Sequence, residues 1–335
     1  MNISISRFTP PLHTAKLQFS GEGNYIDLAR VIGIACVVYG HCLPFNQPAD
    51  IMVRNVVYSF HMPLFFMISG LLEKTKGNFN WLSFKKICYC LLLPYLIYNI
   101  PYIPVLLTDS KGFVASILTA SVPPNDPTWF FFALFMVKFL IAIWGKFRTW
   151  LLPSAFVAYC ILEYSGIKLS TTFCVHATLT GIIFYEIGRL GRSVFKSKYI
   201  LLTLPLALLL TYRSITQFGR YDMYWGNIDD PIWYLCTTAT CSIAVLAFCK
   251  SISDIIPKRL KDNIMFPISR GTMVIVGTHY IFAHFANKIL FQDYDNLLAK
   301  WVYTILLLGV YWIFIEVTFK RIPVLYGKHR HKKDL

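Results

Sequence analysis

The first long apolar stretch of the chain runs Asn24-Tyr-Ile-Asp-Leu-Ala-Arg-Val-Ile-Gly-Ile-Ala-Cys-Val-Val-Tyr-Gly-His41 and carries three ionisable side chains, Asp27, Arg30 and His41. A helix turns about 100° per residue, so Arg30 and His41 point within about 20° of each other, and Asp27 and His41 within about 40°. All three share one face, with Arg30 and His41 roughly 16 Å apart along the axis. Charged groups at bilayer depth cost at least about 2.5 kcal/mol each, so such a stripe is expected to face a bundle interior or a wet cavity. It marks a pathway or a catalytic site, and periodicity alone selects no reaction. The bland alternative is an i,i+3 pair of Asp27 with Arg30 at an interface and a hydrogen-bonded structural histidine at 41.

A second chemistry-bearing stretch follows, Tyr58-Ser-Phe-His-Met-Pro-Leu-Phe-Phe-Met-Ile-Ser-Gly70. His61 is an intramembrane histidine, Pro63 predicts a kink, and Ser69 is placed to bond back to the carbonyl of Phe65. Gly70 permits close approach of a neighbouring helix or a ligand. Further along, Trp129 suits either an interfacial anchor or a sugar-stacking platform. Lys138 sits mid-span and needs a partner, a cavity or a snorkelling route. His279 and His284 share a later apolar run, while Glu186 is expected to pair with Arg189, and Glu316 with Lys320 or Arg321.

The elements that must position these residues are transmembrane helices. Of the 335 residues, 56% are apolar and only 15% charged, against roughly 45–50% and 25% for soluble domains. A span needs about 20 apolar residues. Cutting at charged and Pro/Gly-rich interruptions predicts an all-α bundle of about ten spans, near 26–45, 51–72, 87–108, 128–145, 150–165, 173–190, 199–213, 231–250, 267–290 and 301–320. Residues 1–24 read as a cytoplasmic lead-in without a signal peptide, 25–321 as one membrane domain, and 322–335 as a basic cytoplasmic tail suited to an anionic leaflet.

The net charge of +15 follows from topology, not from nucleic-acid binding. With both termini cytoplasmic, 24 of the 32 Lys and Arg residues fall inside and 7 outside, the bias of the positive-inside rule. The two longer outside loops, 109–127 with Pro123-Pro124-Asn125-Asp126-Pro127 and 214–230 with Arg220, Asp222, Asp229 and Asp230, are turn-rich and aromatic and could frame an external substrate. Nine cysteines lie almost entirely within apolar runs without metal-ligand spacing, so no metal site is expected. No dinucleotide fingerprint, P-loop, nucleophile elbow or HExxH is present.

Asp27-x-x-Arg30, the ten-residue interval from Arg30 to His41, Phe60-His-Met-Pro-Leu-Phe-Phe66 and Phe66-x-x-Ser69-Gly70 together resemble the acyltransferase-3 family of integral membrane O-acyltransferases that decorate bacterial surface carbohydrates. Pro127-Thr-Trp129 and Ile268-Ser-Arg-Gly271 leading to His279 extend the resemblance over nearly the whole chain. The resemblance implies a multi-pass protein of the bacterial inner membrane that moves an acyl group, acetyl above all, from acyl-CoA to a hydroxyl of a glycan or lipid-linked sugar. No permanently bound cofactor is implied.

His41 matches the family's catalytic histidine, a general base or nucleophile. Arg30 matches the motif arginine, suited to coenzyme phosphates, with Asp27 beside it. Ser69 and Gly70 match the Phe-x-x-Ser-Gly element and, with Lys85 and Lys86, are the implied donor-binding set. Ile87 and Cys90 stand where the family often carries an Arg-x-x-Arg pair, so the two lysines one turn earlier would supply that charge. His61, Trp129, Lys138 and His279 are the candidates for the acceptor or a pathway. A transporter using the His41, His61 and His279 set is the competing reading; the motifs occur once, in the first two spans, where a transporter usually repeats its broken helices in two halves.

Overall fold

Not one residue between 25 and 40 is exposed: helix α1 (Asn24–Gly40) is enclosed along its whole length. This computed structural model describes residues 24–73, 80–107, 110–165, 172–217, 219–226, 228, 230–291 and 296–328. The predicted lead-in before Asn24 and the basic run beyond Lys328 lie outside the described residues. After α1 come α2 (Pro48–Tyr58), α3 (His61–Leu71), α4 (Trp81–Ile87), α5 (Leu93–Asn99), α6 (Ser110–Thr119), α7 (Trp129–Trp144) and α8 (Leu151–Tyr164). Then follow α9 (Val175–Leu190), α10 (Thr203–Gln217), α11 (Pro231–Ser253), α12 (Lys258–Leu260), α13 (Phe266–Arg270), α14 (Thr272–Ile289) and α15 (Leu297–Thr318). No β-strand forms among the described residues.

Helix α1 touches α2, α3, α11, α13, α14 and α15, which supplies the enclosure that its charged stripe requires. The most extensive helix pair is α3 with α9, and two glycines make it possible. A Cβ on Gly70 would overlap the carbonyl of Tyr185, and one on Gly188 would overlap the carbonyl of Met67. The crossing is thus a reciprocal small-residue contact between backbones. It is locked at one end by charge. Arg148 bonds Glu186 at 2.7 Å and Glu73 at 2.5 Å, and Arg189 also holds Glu186 at 2.5 Å. Arg192 donates to the carbonyls at the end of α3, Leu71 at 2.8 Å and Gly70 at 3.2 Å, where cations suit the helix dipole.

Six helical stretches among the described residues are long and apolar enough to cross a membrane: 48–71, 81–104, 126–164, 199–217, 231–253 and 297–318. The sequence suggested ten. Helices α1 and α9 have 17 and 16 residues, and both carry acid and base. The predicted spans 128–145 and 150–165 belong to one helical run of 39 residues, about 58 Å if straight. It is broken by a 3-10 segment at Gly145–Trp150 that opens with Gly145 at φ +45°.

Other boundaries shift as well. The predicted span 51–72 divides into α2 and α3 at Ser59–Phe60, and Pro63 falls in the first turn of α3 instead of kinking a continuous helix. A π-helical turn at Cys88–Leu92 separates α4 from α5, and a second, Lys261–Met265, precedes α13. Beyond α15 the chain turns back: Tyr326 is buried, and the Tyr98 hydroxyl donates to the Leu325 carbonyl at 2.6 Å. Gly327, at φ +61°, lies so close to the Cys90 carbonyl that a side chain there would collide with it.

The α3–α9 crossing generates a direct expectation. Gly70→Ala should lower stability by roughly 1–3 kcal/mol or more through backbone displacement, read as a drop in the thermal unfolding temperature of purified protein. An unchanged temperature would show that the two backbones can separate freely.

Candidate functional site

Asp27 and Arg30 lie on α1 and His41 stands in the turn just beyond its last residue, Gly40, and these two regions have different surroundings. At the Arg30 end, Asp27 sits 3.6 Å from Arg30 and accepts from the Ser269 hydroxyl at 2.5 Å, joining α1 to α13. Two further cations gather nearby. The Arg270 guanidinium and the Lys328 ammonium each lie 4.3 Å from the centre of the Phe319 ring. Arg270 also pairs with Glu316 at 2.6 Å, so Glu316 is held from α13 and not by Lys320 or Arg321 as predicted. Burial, then the neighbouring cations Arg270 and Arg30, lowers the affinity of Lys328 for its proton below the ordinary lysine value, as like charges gathered in partial burial must.

At the other end, His41 and His61 line a cavity of about 60 Å³, room for a few waters or a small group. Its walls include the aromatic side chains of Phe65 and Trp129 and both loops that the sequence singled out, through Asp126 and Pro127 of one and Tyr221 to Trp225 of the other. The His41 ring meets the His279 ring edge-on at 5.0 Å and Tyr280 at 5.4 Å. Asn287 donates to the His41 carbonyl at 3.0 Å, fixing the backbone from α14.

Two of these imidazoles have a set tautomer. His61 Nδ1 is 2.8 Å from the carbonyl of Val57, and His279 Nδ1 is 2.8 Å from that of Ile275. A carbonyl can only accept, so each Nδ1 carries the proton and each Nε2 presents a lone pair. The Nε2 of His279 is fully buried and finds no hydrogen-bond partner among the described residues.

The other predicted residues divide. Trp129 is buried and stacks on Tyr224 at 5.2 Å. Lys138 solves its placement through Tyr185, 3.4 Å from the hydroxyl and 5.2 Å from the ring centre. Ser69 donates to the Phe65 carbonyl at 2.8 Å, and Gly70 is taken up by the α3–α9 contact. Lys85 and Lys86 are exposed on the last turn of α4, with Lys85 over the Trp81 ring; no hydrogen bond or ion pair links them to Arg30 among the described residues. They nevertheless lie on the turn that leads to Cys90, which Gly327 touches.

Several organising residues were not legible as such. Asn125, one letter in a turn-rich run, donates to the Tyr98 carbonyl at 2.9 Å and the Gly277 carbonyl at 2.7 Å, and its backbone N–H donates to Asn99 at 3.0 Å. It pins the start of α7 to α5 and α14. His176, a buried histidine inside an apolar run, donates from Nδ1 to the Met223 carbonyl at 2.7 Å and stands 3.0 Å from Glu163 through Nε2, holding the 221–225 wall. Lys300, expected in an outside loop, is fully buried in α15 and paired with Asp50. Tyr39 donates to the same carboxylate, and Lys300 also donates to the Pro44 carbonyl. That network ties the turn after His41 to α1, α2 and α15.

With this geometry in hand, comparison with known proteins is decisive at the family level. A family model described as an acyltransferase domain matches residues 24–316. The chain belongs to the acyltransferase-3 family. The matched region contains α1 with both ends of its stripe, both cavity-lining loops and nearly all of α15. No curated protein and no solved structure matches the chain.

The buried Asp50–Lys300 pair carries a stability prediction. Removing one partner strands a charge, so Lys300→Ala should cost about 3–5 kcal/mol, while a paired apolar replacement of both residues should recover much of that loss. Thermal unfolding of the three proteins measures it; equal losses in the single and double variants would deny the coupling.

Proposed function

We propose that this acyltransferase-3 protein is a membrane O-acyltransferase that moves an acyl group, acetyl above all, from cytoplasmic acyl-CoA to a hydroxyl of a surface glycan or lipid-linked sugar. The observation that carries the reading is a cavity lined by His41 and His61 at one end of a helix whose other end offers Arg30. In the topology favoured by the basic residues, about ten crossings put both termini and Arg30 on the cytoplasmic side of a bacterial inner membrane and the cavity toward the outside.

The division of labour follows. Arg30, oriented by Asp27, receives coenzyme phosphates together with Arg270 and Lys328, and Lys85 and Lys86 extend the positive edge one turn beyond Cys90. The pantetheine arm spans the roughly 16 Å to His41, passing the α3 face that carries Ser69. The acceptor hydroxyl oxygen attacks the thioester carbonyl while a His41 ring nitrogen takes its proton. Collapse of the tetrahedral intermediate breaks the carbon–sulfur bond, the imidazolium returns the proton to the departing thiolate, and an ester and free coenzyme A result.

His279 is a positioning residue in this scheme. Its unpartnered Nε2 lone pair, next to the His41 ring, accepts the N–H of the His41 imidazolium as that charge develops. His61 and Trp129 shape the acceptor side, and Lys138 holds α7 to α9 through Tyr185.

The test is acyl transfer from radiolabelled acetyl-CoA to a host glycolipid extract, with purified protein in lipid nanodiscs. His41→Ala should lower transfer by about 10²–10⁴-fold; full activity in that variant would remove His41 from the chemistry. His279→Ala should lower kcat by about 10–100-fold with little change in acceptor KM, the worth of one hydrogen bond to a charged group. A change confined to KM would make His279 a binding residue instead.

A further inference from the structure

Across the cavity from His41, the two loops bring together charged and aromatic groups that the acyl-transfer step does not use. Asp222 is fully engaged. One of its oxygens accepts the backbone N–H groups of Tyr224 at 3.1 Å and Trp225 at 3.2 Å, and the other pairs with Arg220 at 3.1 Å. These bonds shape the turn at 222–225 and hold the Arg220 guanidinium 5.1 Å from the centre of the Tyr58 ring. Tyr58 in turn packs edge-on against His61 at 4.9 Å.

Asp126 differs from Asp222. It lines the cavity, and among the described residues no hydrogen bond or ion pair closes on its carboxylate. Its backbone is nonetheless among the most firmly held in the wall, with Asn125 bonded to Tyr98, Gly277 and Asn99, and Thr128 bonded to Asn99 at 3.0 Å and to the Asn125 carbonyl at 2.7 Å. The Asp126 carboxylate is half-buried, and its oxygens keep their accepting capacity for a donor that enters the cavity. Beside it, Trp225 leaves 46% of its surface exposed while still lining the same cavity.

A free carboxylate, a guanidinium with donors to spare and a half-exposed indole form a complementary set. Vicinal hydroxyls can donate to the two carboxylate oxygens, a ring or hydroxyl oxygen can accept from the guanidinium, and the apolar face of a saturated ring can rest on the indole. We propose that Asp126 and Trp225 of the cavity wall, with Arg220 over the Tyr58 ring, form an acceptor subsite at the cavity's exposed edge and take one edge of a sugar ring presenting two adjacent free hydroxyls. One hydroxyl is anchored at Asp126 while a neighbouring one is delivered to His41. This assignment rests on the acyltransferase reading above and specifies how that same cavity selects its acceptor.

The experiment compares the native full chain in nanodiscs with Asp126→Asn, which keeps the shape and removes the charge, and with Trp225→Ala. Transfer of label from acetyl-CoA is followed against increasing host glycolipid extract, and protection against thermal unfolding by coenzyme A is measured on the same preparations. Both variants should raise the acceptor KM about tenfold or more and keep the native thermal shift with coenzyme A. Prior periodate cleavage of vicinal diols in the extract should abolish labelling by the native chain.

Native acceptor KM in Asp126→Asn would overturn the subsite. So would loss of the coenzyme A shift in that variant, which would place Asp126 with the donor or the fold, and so would undiminished labelling of periodate-treated extract. Absence of any label with the native chain would instead sink the acyltransferase reading and the subsite with it.

Discussion

A helix that carries Asp27, Arg30 and leads to His41 along one line cannot face hydrocarbon, and the rest of the bundle is organised around that fact. The remedy is complete enclosure: six helices touch α1, and no residue from 25 to 40 is exposed. Burial alone would be ruinous for the charges, so each is met. Asp27 takes both Arg30 and the Ser269 hydroxyl, and the turn after His41 is held by the buried Asp50–Lys300 pair. Moving α13 away from α1 would strip Asp27 of its Ser269 bond, and ionised groups exposed to lipid cost several kcal/mol. Enclosing the stripe and forming the site are therefore one structural problem.

The enclosure also gives the two ends of α1 different characters. Near Arg30 the returning tail brings Lys328 against Phe319 and packs Gly327 on Cys90, within a turn of Lys86. Near His41 the walls are irregular loops, whose backbone polar groups need partners away from water. Asn99 supplies one to the Asn125 N–H and His176 one to the Met223 carbonyl, while the Asn125 side chain anchors its loop to the helical carbonyls of Tyr98 and Gly277. These bonds fix the loops as walls of the cavity that His41 and His61 line. The result is one end gathering cations and one end walled by aromatic side chains and loops, joined by a single helix.

Local signals in the sequence carried over well. The Asp27 pair with Arg30 follows from helical periodicity, as do the Ser69 bond to Phe65 and the Glu186 pair with Arg189, each within one helix. Gly70 as a point of close approach was also legible, although which helix approaches was not. What escaped depends on partners far along the chain. Asp50 and Lys300 are 250 positions apart, Asn125 reaches Gly277, and Arg270 captures Glu316 from across a helix pair. Periodicity says which face is wet and nothing about which element will cover it. The predicted span 51–72 failed for a related reason: hydropathy does not register the break at Ser59–Phe60, where the backbone changes course inside a largely apolar run, whereas the charged break at Gly145–Trp150 was legible.

The central claim is that one helix serves both substrates, with the donor's phosphates at Arg30 and its reactive carbon at His41. A structure of the protein in nanodiscs bound to a non-hydrolysable acetyl-CoA analogue tests it most directly. The account predicts density for the phosphates beside Arg30, Arg270 and Lys328 and for the acyl carbon in the cavity beside His41. Coenzyme density at a surface that leaves the acyl carbon remote from His41 would contradict it.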